Sequence, residues 1–311
     1  MRNANKMNKN IKQIRSAVKA AKRLRRRGLT LTELLISIVI IALLAAFSIP
    51  AIDAFMNSMG SIGSATALIN AALSSARAMA IKDQRYVGVR FQFYFNPNEP
   101  SFLLDRDMYM IFIEQNPDVT QDYFFRAIEG LKPVKLPPNI GVTDLTIVND
   151  RAKIFPIDPE QIELINETPA DAESYFLSSD QSVVQRNLFD ITTFSIVFSP
   201  SGNLAVHRVI VRNKEGRTDN SSPDEVFNTI TNVAMNTASG IATFMKDDSI
   251  GDPMSPLGPE PSRRYFLIFE RGKYRNAVMK GSLYSGYLLP LITTNGLIYI
   301  NPHTGTLIQA E

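Results

Sequence analysis

The strongest constraint in this chain is a run of 24 residues, Leu29–Ile52, that carries a single charge, Glu33. From Leu34 to Phe47 the run is apolar throughout, relieved only by Ser37. As a helix, such a run spans about 36 Å against a hydrocarbon core of about 30 Å, so it crosses a bilayer once. Arg23, Arg25, Arg26 and Arg27 stand immediately before it. By the positive-inside rule they hold the N-terminus in the cytoplasm and send everything after Asp53 across the membrane. No second apolar run of comparable length follows, so the expected topology is single-pass.

Charge divides the chain at the same place. The whole chain has 33 basic and 30 acidic residues, and residues 1–28 hold eleven of the basic ones and none of the acidic. The leader is therefore +11 and the remaining 283 residues are −8 (22 basic against 30 acidic), although the total is only +3. A basic average on an acidic body gives no ground for a nucleic-acid-binding protein. The body is long enough to bury a sizeable core, and 45% hydrophobic content argues against general disorder.

The absence of cysteine removes disulfides, thiol nucleophiles and thiolate metal sites. With His207 and His303 as the only histidines, a multi-histidine metal centre is excluded as well. No phosphate-binding glycine loop, Gly-x-Ser-x-Gly elbow or His-Glu-x-x-His pattern is present. The expectation is a protein without a cofactor and without enzymatic turnover.

Glu33 is the discordant residue of the apolar run. A carboxylate at mid-membrane costs about 2.5–3.5 kcal/mol. Thr30 and Glu33 have capping-box spacing, which eases an acid at a helix start. A cleaved secretory signal ending at Ala46-Phe47-Ser48 and a plain signal anchor both fit the hydropathy, but neither accounts for Glu33.

The full pattern is Arg25-Arg26-Arg27-Gly28, then Leu29-Thr30-Leu31-Thr32-Glu33-Leu34-Leu35, then apolar residues and Pro50. It resembles the class III signal of type IV prepilins and type II secretion pseudopilins. The resemblance implies that a prepilin peptidase cuts after Gly28 and methylates the new N-terminus at Leu29, where the family usually has phenylalanine. It implies that Glu33 aligns subunits during assembly and that Pro50 kinks the helix. It also implies an inner-membrane protein with an extracytoplasmic head. The implied partners are prepilin peptidase, other pilins or pseudopilins, an inner-membrane assembly platform and membrane lipid.

Beyond Pro50, Ile62, Thr66, Ile69, Leu73, Ala76 and Ala80 recur at helical steps, with Asn70, Ser74, Arg77 and Lys82 elsewhere. This predicts one long helix, a transmembrane half at 29–52 and an amphipathic half at 53–82, interrupted near Pro50, Gly60 and Gly63. Its apolar stripe should lie on a sheet. Alternation in Tyr86–Phe95 predicts a half-buried strand with Arg90 and Gln92 on its polar face. Further strands are expected at Tyr109–Glu114, Leu131–Val134, around Leu136-Pro137-Pro138-Asn139-Ile140-Gly141-Val142, and at Phe194–Phe198 and Leu204–Val211. The last are expected at Tyr265–Phe269, Gly296–Ile300 and Thr304–Ile308. The fold class expected is α+β and pilin-like: the long N-terminal helix packed on an antiparallel β-sheet head, residues 83–311.

Four pieces in this order are similar to the GspH/FimT group of minor pseudopilins. They are the helix end Leu73–Ile81, Leu136-Pro137-Pro138, Phe198-Ser199-Pro200-Ser201-Gly202 and the turn at Thr304-Gly305. Two acidic stretches, about 150–190 (nine acidic, three basic) and 213–261 (eight acidic, three basic), fall outside that likeness. They read as surface loops or appended elements. Within the second, Asn213, Glu215, Asp219, Asn220, Asp224 and Glu225 are oxygen-rich enough for Ca²⁺, but their spacing is not that of an EF-hand, and a solvated loop is the expectation.

One basic stretch interleaves aromatics: Arg263, Arg264, Arg271, Lys273 and Arg275 around Tyr265, Phe266, Phe269 and Tyr274. Such a patch grips a nucleic acid or a protein partner, and some members of the FimT branch take up DNA through a basic C-terminal region. This chain ends Leu307-Ile308-Gln309-Ala310-Glu311, which is not basic, so a hairpin with a charged rim is expected instead. The function expected is assembly of a type II secretion pseudopilus or a type IV pilus by a minor pilin-like subunit. DNA capture is the alternative, and a membrane-tethered enzyme the third reading.

Overall fold

A computed structural model describes residues 62–94, 103–144, 146–147, 163–164, 181–213, 225–228, 233, 244–245, 260–295 and 297–309, with Thr32 alone from the N-terminal part. The chain divides into two units, Met1–Met56 and Asn57–Glu311, and the elements below all belong to the second. Among the described residues no helix is long and apolar enough to cross a membrane. Gly28, Leu29, Glu33 and Pro50 lie outside the described residues, and so does the expected span 29–52 apart from Thr32.

Small residues set the first contact. Helix α1 (Ile62–Asp83) buries Ala65, Ile69, Ala72, Leu73, Ala76 and Ala80, four alanines that bring its axis close to the sheet beneath. The stripe is shifted from the expected one: Ala65 and Ala72 are buried, while Ile62 and Thr66 are only half-buried. Gly63 does not interrupt the helix, which runs unbroken from Ile62. It ends where Gln84 adopts a left-handed φ of 51°. Gln84 caps the last turn, its side-chain amide donating to the Ile81 carbonyl at 2.6 Å.

Three residues after Gln84 the chain enters β1 (Val87–Phe93), which shares a core with the helix. The following elements are β2 (Met108–Gln115), β3 (Phe124–Ala127), β4 (Val134–Lys135), β5 (Ile140–Thr143), β6 (Thr146–Ile147), β7 (Glu163–Leu164) and helix α2 (Gln181–Thr192). Then come β8 (Phe194–Phe198), β9 (Leu204–Ala205), β10 (Arg208–Val211), β11 (Phe227–Asn228), β12 (Phe244–Met245), β13 (Glu260–Pro261) and β14 (Tyr265–Glu270). Helix α3 (Arg271–Met279), a π-helical turn (Tyr284–Leu288), helix α4 (Leu289–Asn295), β15 (Ile298–Ile300) and β16 (Leu307–Gln309) complete the chain. Helical and mostly antiparallel content together make the α+β class expected.

The larger sheet has the order β13-β10-β3-β2-β1-β8-β9, with β4 on β2. Strands β9 and β10 lie near opposite ends of that order yet are joined by only Val206 and His207. The segment after β13 closes the gap: the Ser262 N–H donates to the His207 carbonyl at 2.8 Å and the Arg263 N–H to the Ser195 carbonyl at 2.7 Å. The sheet therefore curls round on itself. The second sheet has the order β16-β15-β14-β5.

Closure changes the meaning of β1. All seven of its residues are buried, so the expected half-buried strand is corrected. Val87, Val89, Phe91 and Phe93 face the main core with α1. Arg90 and Gln92 point into the curl and are fully buried, not solvent-facing. A second core occupies that side, built from Ile111, Ile113, Phe125, Val197, Val209 and Val211.

The acidic stretches are more than surface loops. Val226, Phe227 and Phe244 complete the second core, and Val184, Leu188 and Ile191 of α2 join the main one. The charged segment is corrected too. Tyr265–Glu270 is a strand that runs directly into helix α3, not one arm of a hairpin.

Candidate functional site

Arg77 is the point at which three of the likeness segments meet. It lies on α1, half-buried, and its Nε donates to the Gly202 carbonyl at 2.8 Å while Nη2 donates to the His303 carbonyl at 3.0 Å. The Ser199–Asn203 turn and the Asn301–Thr306 turn are thus both fastened to the helix. Their glycines have left-handed φ values, 78° at Gly202 and 72° at Gly305. A Cβ on Gly202 would stand 2.6 Å from Ile81 Cδ1, and one on Gly305 would stand 3.0 Å from the Phe198 ring. Only glycine lets these turns come this close. The Leu204 N–H donates to the Pro302 carbonyl at 2.7 Å and joins the turns to each other.

Replacing Arg77 by Ala removes two charge-assisted hydrogen bonds from one half-buried site. The expected cost is about 1–2 kcal/mol. Denaturation midpoints should fall accordingly, with amide exchange accelerated at Gly202 and Gly305 and unchanged in β2.

The five cations of the basic segment go to different places. Arg263 is buried, with its guanidinium on the Asp144 carboxylate, the Pro261 carbonyl and, at 3.1 Å, the Glu260 carboxylate. Burial works against its charge, but Asp144 and Glu260 outweigh that and hold its pKa above the ordinary arginine value. Glu260 also lies 3.8 Å from Arg90. Arg90 donates to Gln92 at 2.9 Å, and Gln92 donates to the Met245 carbonyl at 3.1 Å. Two arginines and two carboxylates thus form a buried network that spans both sheets.

Arg264 is exposed. Arg271 reaches the Arg106 carbonyl and, at 3.4 Å, the Asp107 carboxylate; burial lowers its pKa, partly offset by Asp107. Lys273 pairs with Glu270 at 2.7 Å and Arg275 with Asp105 at 2.6 Å. No five-cation surface is formed. The partners Asp105, Asp107, Asp144 and Glu260 were the part that sequence reasoning missed, because three of them lie more than a hundred residues from their arginines. The alternation Asp105-Arg106-Asp107 was the one local signal available.

His207 is wedged between Tyr86, with ring centroids 4.2 Å apart, and Phe125 at 5.7 Å, and its Nδ1 is 2.7 Å from the Arg208 carbonyl. It sits in the two-residue break between β9 and β10, so the continuous strand expected over Leu204–Val211 is interrupted there. His303 is an exposed turn residue whose N–H donates to Asn301 Oδ1 at 2.9 Å. Of the oxygen-rich cluster, Asn213 and Glu225 are described, and Glu215, Asp219, Asn220 and Asp224 lie outside the described residues.

Alkaline pH tests the packing of α3. Tyr274 is buried with its ring 4.2 Å from that of Phe269, and Tyr287 lies 5.9 Å away. Burial pushes both hydroxyls above the ordinary tyrosine value. The neutral form is thus favoured in the folded state, and the unfolded chain gives up its proton first. Their contribution is complete below about pH 10 and is lost as pH rises beyond it. The denaturation midpoint should hold up to about pH 10 and fall above it, and fall less in Tyr274→Phe.

Comparison with known proteins supplies one match. The prokaryotic N-terminal methylation motif family matches residues 23–49, the segment holding Gly28, Leu29 and Glu33. This prepilin-type motif supports the type IV pilin and pseudopilin class and processing by a prepilin peptidase. No curated protein and no solved structure matches the chain.

Proposed function

We propose that this chain is a minor pilin-like subunit of the GspH/FimT kind that assembles into a type II secretion pseudopilus or a type IV pilus. The observation that carries the reading is the methylation motif at residues 23–49. The meeting of Leu73–Ile81, Phe198–Gly202 and Thr304–Gly305 at Arg77 supports the finer placement. Its work is assembly and contact, without turnover of a substrate and without a cofactor.

The logic follows from where the cut falls. A break after Gly28 discards eleven basic residues and keeps the apolar run, so the mature helix is free to leave the cytoplasmic face of the inner membrane. Apolar helices then pack on one another in place of lipid. The Glu33 carboxylate meets a neighbour's Leu29 ammonium, and each offsets the burial of the other. Assembly is preferred over DNA capture because the cations of Arg263–Arg275 are matched locally by carboxylates, Arg264 excepted.

Mass spectrometry of the mature chain, co-expressed with a prepilin peptidase, tests this. The expected N-terminus is methylated Leu29; a start after Ser48, or an intact Met1, would refute the assignment. Glu33→Ala should leave membrane insertion intact and reduce incorporation into filaments by at least about tenfold, the loss of one buried charge pair. Undiminished incorporation would remove the pairing role.

A further inference from the structure

Strand β16 is the outermost strand of the second sheet, which among the described residues ends there. It pairs with β15 in the register Ile298 with Gln309, Tyr299 with Ile308 and Ile300 with Leu307. The hydrogen bonds of the sheet fix which backbone groups point outward. Ile300 N–H donates to the Arg264 carbonyl at 3.0 Å, so Ile300 faces β14. Asn301 N–H donates to the Thr306 carbonyl at 2.8 Å, so Asn301 faces the β16 side. Antiparallel ladders alternate, so Tyr299 also faces β16 and engages Ile308. The N–H and C=O groups of Leu307 and Gln309 then point away from β15. Among the described residues no hydrogen bond reaches those groups.

The side chains reach the same edge. Tyr265, Tyr299 and Ile308 are successive partners across three strands and share one face, on which Tyr299 is 41% and Ile308 47% exposed. The Tyr265 and Tyr299 rings lie 5.8 Å apart. This apolar row runs off the side of the sheet. Natural edges are guarded by lysine, proline or a bulge, whereas β16 carries neither residue and pairs without a bulge. From Gly281 to Ala310 there is no Lys, Arg, Asp or Glu.

We propose that β16 pairs antiparallel with β16 of a second copy of this chain, about a two-fold axis at Ile308. The alternation along the edge sets that centre. Leu307 of each copy exchanges both N–H···O=C bonds with Gln309 of the other. Ile308 meets its own counterpart as the close, non-hydrogen-bonded pair, with Cα atoms about 4.5 Å apart. The row of Tyr265, Tyr299 and Ile308 then continues into the same row of the second copy. Neutrality favours a second copy over a foreign strand. Two bodies of −8 repel each other, and an uncharged edge is where they approach without setting like charges face to face. The contact is isologous, so it closes at two copies. It uses Leu307–Gln309 alone and is independent of the N-terminal segment.

The chain has no cysteine, so Ile308→Cys introduces a single thiol at the axis, where the paired Cα atoms are within disulfide reach. Ser201→Cys, in the exposed turn held by Arg77, is the control. Under mild oxidation of the full chain in detergent, Ile308→Cys should form covalent dimer at least about tenfold faster than Ser201→Cys. Amide exchange of the unsubstituted chain gives a second reading. Raising its concentration from about 1 to about 100 µM should slow exchange at Leu307 at least about fivefold and leave Ile308, already bonded to Tyr299, unchanged. Ile308→Lys sets like charges against each other at the axis, so it should remove the concentration dependence at Leu307 while β1 and β2 exchange as before. Equal oxidation at both positions would overturn the proposal. So would a Leu307 amide that stays fast at the highest concentration, as association through Leu29–Ile52 alone would leave it, or one already slow at the lowest. Protection of Leu307 that appears only when another protein is added would assign the edge to a foreign strand instead.

Discussion

Gly28→Val should abolish processing. In a chain carrying it, intact-mass measurement after co-expression with a prepilin peptidase should show the leader still attached and Leu29 unmethylated. The processing proposed here cuts after this glycine, within the motif matched at residues 23–49, and a β-branched residue there puts bulk beside the bond to be broken. Retention of the leader has a large physical consequence. Each Lys or Arg near an anionic cytoplasmic surface contributes about 1 kcal/mol of attraction, so in the proposed orientation eleven of them would hold the helix firmly to that face. Incorporation into filaments should fall to background while total protein in the membrane stays normal. A variant that is still trimmed after Ser48 would identify a secretory signal instead, and one that enters filaments with its leader attached would dissociate processing from assembly.

Asp144→Asn should be among the most destabilising single changes in the head. Asp144 is fully buried and meets Arg263, which has Glu260 as its other carboxylate, while Glu260 also faces Arg90. Removing one charge leaves two guanidinium groups and one carboxylate in a site without water access. Breaking a buried pair from one side typically costs about 3–5 kcal/mol, a large share of the 5–15 kcal/mol that holds a typical domain. Tyrosine fluorescence of the detergent-solubilised chain during chemical denaturation reads the effect, there being no tryptophan and ten tyrosines. The double variant Asp144→Leu with Arg263→Met should recover much of the loss, because the paired apolar substitution removes the desolvation cost together with the attraction. If the single change were silent, the network would not hold the sheets together.

The legibility of the chain follows the range of the forces involved. Helix α1 was readable because its stripe recurs within one turn, although alanine and isoleucine exchange burial at the margin: Ala65 goes in and Ile62 stays half out. The turn at Ser199–Asn203 was readable from proline and glycine alone. Helix α2 was not, since Gln181–Thr192 sits in an acidic stretch whose average polarity hides Val184, Leu188 and Ile191. Helix α3 was misread for a related reason. Arg271, Lys273 and Arg275 look like a charged rim, but only Asn139 shows why a helix starts there, accepting from both Arg271 and Gly272 N–H groups from more than 130 residues away.

Sequence by itself carried the whole case for the proposed address and orientation, a +11 N-terminal segment and an apolar run with one carboxylate, and it showed a small-residue stripe that calls for a sheet. Those are local properties, set by hydropathy, charge sign and helical period over a few turns. Tertiary structure alone decided the fate of the charges. It curled the sheet until Leu204–Val211 served both of its ends, turned Arg90 and Gln92 from a solvent face into a second core, and split the basic segment between a buried network and separate ion pairs with Asp105, Asp107 and Glu270. Burial and ion pairing depend on which distant strands close on one another, and closure is a property of the whole chain.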